Sequence, residues 1–127
     1  ALHMVNVFSR CSLASPSGAG FWVFGAGMAL GRKVLRSNPT VNVFHRGFNA
    51  CNTYANGEQA MAQVTCPVLF ALGEQDQMTP AKAAQTLVKA AQAAGKAVQI
   101  RHLPSGHHQM TEAPEETLAA LRDFLAQ

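Results

Sequence analysis

The sequence predicts an α/β protein, with a strand-helix-strand-helix unit in its second half preceded by a mostly helical segment. Three observations carry that prediction. "CPVLFALG" holds an unbroken apolar run from Pro67 to Leu72, which has the length of a strand buried on both faces of a parallel sheet. "AVQIRHLP" alternates Val98 and Ile100 against Gln99 and Arg101, as a half-buried strand near a sheet edge does. Between the two runs, Ala84, Leu87, Val88 and Ala91 recur at helical spacing, so the strands are joined by a crossover too long for a hairpin. Such strands pair in parallel with a right-handed connection.

In chain order, "LHMVNVFSRCSL" spaces Met4, Val5 and Phe8 as a helix does, and "GFWVFGAGMALGRKVLRS" reads as a second helix loosened by Gly25, Gly27 and Gly31. The Gly25–Gly27 "GAG" lacks a preceding strand and breaks the dinucleotide-binding spacing, so close helix packing explains it better. "VNVFHRGFNACNTY" is compatible with helix or irregular chain, and "NGEQAMAQ" with a short helix. Residues 1–63 thus form one helical segment and residues 64–127 the α/β unit. In that unit Gly73 ends the first strand, Thr79 reads as an N-cap with Pro80 at the first helical position, and Gly95 stops the crossover helix. Pro114, with Glu115 and Glu116 in the first turn, opens a last helix whose Leu118, Leu121, Phe124 and Leu125 form an apolar stripe.

Composition excludes several classes of function. The net charge of +3 is unevenly placed, with Arg10, Arg32, Lys33, Arg36 and Arg46 set against Glu58 alone up to residue 63 and residues 64–127 nearly balanced; these cations are scattered, which argues against nucleic acid as a partner. Three cysteines, Cys11, Cys51 and Cys66, have neither the even count of a disulfide framework nor CxxC spacing, and fit reduced thiols in a cytoplasmic protein. Ala19 to Gly31 is too short and glycine-rich to cross a membrane, and no signal peptide is evident.

Ligands of open parallel sheets bind beyond the carboxyl ends of the strands, which here means the loops "EQDQM" and "SGHHQM". Asp76 follows the first strand and His107 the second, so both side chains reach one edge of strands about 4.8 Å apart. An acid beside an imidazole fixes the ring's tautomer and stabilises the imidazolium formed when the ring takes a proton from a nucleophile. His108 points elsewhere, as a neighbour on a turn does. With His102 and His107 it makes no convincing metal set, and Glu112 belongs to the start of the last helix rather than to catalysis.

"CPVLFALGEQDQMTP" followed by "IRHLPSGHHQMTEAPEETLAALRDFL" resembles the C-terminal end of the α/β-hydrolase fold family. In that family G-x-x-D-x-x-x-P carries the triad acid, matched by Gly73, Asp76 and Pro80, and a G-H turn carries the base, matched by Gly106 and His107. "GFWVFGAGMALG" and "FNACNTYANGEQAMAQV" are similar to the helical cap such enzymes insert, with Phe21, Trp22, Phe24 and Met28 either lining a pocket or, better, forming the cap's own core.

The family's G-x-S-x-G nucleophile elbow and its oxyanion loop are missing: "SPSGAG" around Ser17 lacks the flanking glycines. The resemblance therefore implies the cap and C-terminal part of a serine-type, esterase-like hydrolase with Asp76 and His107 as triad acid and base. The nucleophile would lie upstream, no metal or organic cofactor would be needed, and a small apolar ester would be the substrate. The isolated chain is then expected to be inactive, and to self-associate or pair with the missing N-terminal half through an unpaired strand edge and bare helix face. The alternatives are a non-catalytic interaction domain built on the same fold, or part of a dehalogenase or carbon–carbon bond hydrolase.

Overall fold

A computed structural model describes His3 and residues 21–127 of the chain. The helical spacing of Met4, Val5 and Phe8, the "SPSGAG" stretch around Ser17 and Cys11 all lie outside the described residues, as do the side chains of Phe21 and Trp22.

Three helices come first: α1 (Phe21–Ser37), α2 (Val43–Thr53) and α3 (Gly57–Gln63). The stretch compatible with either helix or irregular chain is helical because Asn42 caps it, its side chain accepting the His45 N–H at 3.0 Å. Phe24 and Met28 of α1 are half-buried. Close packing at Gly25 is not found among the described residues, since a Cβ there would meet none of them within 4 Å. Helix α3 packs on the crossover helix, bringing the Gly57 position within 3.4 Å of the Leu87 side chain.

Strand β1 (Val68–Gly73) leads through a 3₁₀ turn (Ala81–Ala84) into α4 (Gln85–Ala93), and strand β2 (Val98–Leu103) into the one-turn α5 (Gln109–Glu112) and then α6 (Pro114–Leu125). The strands pair in parallel, with Val68 opposite Val98 and Gly73 opposite Leu103. Their carboxyl ends are therefore level, and both following loops leave from one edge. The pairing runs on past the strands, with Glu74 N–H to Leu103 O at 2.9 Å and Gln75 N–H to Ser105 O at 3.0 Å. Gly95, at φ 70°, terminates α4 in the left-handed conformation that glycine adopts without strain.

The structure differs from the sequence expectation at four places. Val68 to Leu72 are half-buried rather than enclosed on both faces, because β2 is the sole strand paired with β1 among the described residues. Ile100 is 43% exposed beside exposed Arg101, so β2 does not alternate cleanly; Leu103 is its buried residue. Thr79 does not cap α4: Pro80 holds an extended ψ of 145° and the chain enters the helix through the 3₁₀ turn, while the Thr79 hydroxyl is spent elsewhere. In α6 the inward face is Thr117 and Ala120, in line with Ala113 just before the helix, and of the expected stripe Leu118, Leu121 and Leu125 lie outside it while Phe124 is half-buried. Small residues let the helix approach closely, with Val88, Ala91 and Leu103 completing the buried apolar set.

Candidate active site

The two loops beyond the strand ends are held against each other by backbone. Gly73 and the Ser105–Gly106 segment approach so closely that a Cβ on Gly73 would collide with Gly106 O and lie 2.8 Å from Ser105 O. A turn bond from Asp76 N–H to Gly73 O at 3.3 Å then folds the first loop over, and Ser105 N–H to Leu103 O at 2.8 Å bends the second. The two predicted side chains meet above this junction. His107 Nδ1 lies 2.9 Å from Asp76 Oδ2.

Asp76 is buried and fully used as an acceptor. Its Oδ1 takes the backbone N–H groups of Met78 and Thr79, each at 2.9 Å, while Oδ2 takes the Thr79 hydroxyl at 2.9 Å and faces His107. One oxygen thus closes an Asx-type turn, while the other, bonded by the Thr79 hydroxyl, faces the imidazole. Burial by itself would raise the Asp76 pKa. The Thr79 N–H, the His107 ring, the Thr79 hydroxyl and the charge of protonated His107 together outweigh it, and the carboxyl sits below its ordinary range.

An ionised carboxylate accepts and cannot donate, so the short contact fixes the hydrogen on Nδ1 of the neutral ring. Thr79 reinforces this. Its Oγ1 is 3.2 Å from Nδ1 and has already given its own proton to Asp76, so it too can only accept from the ring. The lone pair is thereby placed on Nε2. The His107 side chain is 36% exposed against 3% for Asp76, so the imidazole spans the step between a buried anion and solvent.

His108 is exposed, its ring set edge-on to that of His107 at 6.3 Å, and its carbonyl accepts the Thr111 and Glu112 N–H groups at 2.9 Å each. Its backbone starts α5. Among the described residues no three His, Cys, Asp or Glu side chains are gathered so as to hold a metal, and no helix is long and apolar enough to cross a membrane. Cys51 and Cys66 are exposed and unbridged.

Sequence reasoning missed two contributors. Thr79, expected as a helix cap, stands three residues after an aspartate, the spacing at which a side chain can reach back to the carboxylate. Glu112, assigned to helix initiation, accepts the Gly106 N–H at 2.8 Å across six residues, a contact with no periodic signal.

No curated protein and no solved structure matches the chain. A family profile does: the one for the dienelactone hydrolase family matches residues 19–123, running through helices α1–α3, both strands and the Asp76 and His107 loops. With that span matched, and with a parallel strand pair carrying an acid and a histidine on adjacent loops, the chain belongs to the dienelactone hydrolase family, a branch of the α/β-hydrolase fold.

Proposed function

We propose that this chain carries the acid, Asp76, and the base, His107, of an esterase-like hydrolysis whose nucleophile is a serine outside the described residues. The observation that carries the reading is the 2.9 Å contact between His107 Nδ1 and Asp76 Oδ2, which leaves Nε2 as the free base. The serine O–H would attack the ester carbonyl and pass its proton to Nε2, with Asp76 stabilising the imidazolium. Collapse of the tetrahedral intermediate returns that proton to the departing alkoxide. Water then attacks the acyl-serine, again through Nε2, and releases the carboxylic acid. The family's name points to a cyclic ester as one form of substrate; there the departing alkoxide stays tethered to the acyl group. No step needs a metal or organic cofactor. Helices α1–α3 are proposed as a cap, a reading supported by their place ahead of β1 and by half-buried Phe24 and Met28. Free, exposed Cys51 and Cys66 support a reducing, cytoplasmic setting.

The sequence holds no G-x-S-x-G, so the test uses two proteins. The 127-residue chain should turn over 4-nitrophenyl acetate no faster than its H107A variant. A protein extended upstream to include an elbow serine should hydrolyse it, and H107A there should lower kcat by about 10⁴-fold or more. Turnover by the short chain that disappears in H107A, or an extended enzyme indifferent to H107A, overturns the proposal.

One observation favours a second reading, association with another copy of the chain. Leu118, Leu121 and Leu125 of α6 are 66%, 43% and 78% exposed along one line of the helix.

A further inference from the structure

Glu112 stands on the one-turn helix α5, and its carboxylate reaches back to the residue immediately before the histidine, accepting the Gly106 N–H at 2.8 Å. Gly106 is buried, so that N–H has no water to fall back on and Glu112 is its partner. Both ends of this link are anchored. On the helix side, the Glu112 N–H donates to His108 O at 2.9 Å, and the Thr117 hydroxyl ties Gln109 O, at 3.1 Å, to the start of α6. On the strand side, Ser105 is held through its N–H to Leu103 and through its carbonyl to Gln75. The peptide between residues 105 and 106 therefore cannot rotate without breaking the Glu112 contact, and that peptide sets the direction in which His107 leaves the turn.

We propose that Glu112 is a positioning residue for His107, aiming the imidazole at Asp76 by clamping the Gly106 N–H. The inference rests on the reading of His107 as the base, and it assigns Glu112 no part in the proton transfers. It acts as a hydrogen-bond acceptor at a fixed reach. A side chain that keeps both acceptor and length should replace it, and one that keeps the charge but shortens the reach should not.

Proton NMR of the whole 127-residue chain, with ¹⁵N-labelled imidazoles, reads the His107 Nδ1–H and its exchange with water. The signal is identified by its loss in D76N, where the amide can turn a donor toward the ring and reverse the tautomer. Glu112→Gln should leave the exchange rate within about twofold of the parent. Glu112→Asp and Glu112→Ala should raise it about tenfold, the factor carried by one lost hydrogen bond to a charged group, while β1 and β2 amide signals stay in place. If Glu112→Ala fails to fold, the Gln and Asp variants carry the comparison. Exchange at the parent rate in Glu112→Asp, or Glu112→Gln as fast as Glu112→Asp, overturns the proposal. A parent chain lacking any D76N-sensitive signal overturns the Asp76–His107 pairing and this inference with it; a D76N-sensitive signal indifferent to Glu112 overturns this inference alone.

Discussion

Asp76 accepts hydrogen bonds from two backbone amides and a hydroxyl while facing an imidazole, and this concentration of donors has a consequence for stability. The carboxyl loses solvation on burial, yet the donors hold its pKa below the ordinary value. A group whose pKa is depressed on folding binds its proton more readily when unfolded. Its contribution is therefore complete above the unfolded pKa of roughly 3.9 and is lost as pH falls through the lower folded value. Urea midpoints measured from about pH 6 to about pH 2 should accordingly decline at the acid end. In Asp76→Asn the side-chain carbonyl can still accept the Met78 and Thr79 amides, so the loop can keep its turn while this titration disappears. The acid decline of the variant should be shallower than the parent's. Parallel curves for the two proteins would show that Asp76 gains nothing from its donors.

At the scale of elements, the two loops are aligned because β1 and β2 end level, and Gly73 lets their backbones touch. An alanine at position 73 must push against carbonyl oxygens rather than a flexible side chain, so either β1 shifts or the histidine turn lifts away. Gly73→Ala should cost about 1–3 kcal/mol in unfolding free energy and should weaken the His107 Nδ1–H signal. Gly25→Ala provides the contrast, since it lies in α1 facing open space and should stabilise by up to about 1 kcal/mol through helix propensity. Equal effects at the two glycines would remove the close approach as an explanation. The strands, their parallel order and the two loops were legible in the sequence because run length and crossover length act locally and leave few topologies open. The entry to α4 was not legible. Thr79 followed by Pro80 satisfies the rule for a helix start, yet the hydroxyl finds a buried carboxylate nearer than a helix amide. Nor was the inward face of α6 readable, because Leu118, Leu121 and Leu125 on one side and Ala113, Thr117 and Ala120 on the other both repeat at helical spacing. The choice between the faces is made by what the helix packs on, namely β1, β2 and the one-turn α5.

Over the whole molecule, that choice leaves an imbalance. Among the described residues the buried apolar ones are Val88, Ala91, Leu103, Ala113 and Ala120, while larger side chains remain at the surface on α6 and at Ile100. Leu118, Leu121 and Leu125 are spaced three and four residues apart, so they form a continuous ridge that a second copy can cover by the same patch. Covering a leucine is worth at least about 1.5 kcal/mol, so two of them contribute about 3 kcal/mol, or roughly a hundredfold in the association constant. Sedimentation velocity should show the weight-average mass of the chain rising with concentration. The doubly substituted Leu118→Glu, Leu121→Glu protein should need about a hundredfold more protein to reach the same mass, with its far-UV circular dichroism unchanged because both positions are solvent-facing. The same charges leave the Asp76–His107 contact alone, since Thr117 and Ala120 hold the helix on its other face. A parent chain that stays monomeric throughout, or a double variant that associates as strongly, would assign the ridge no part in self-association.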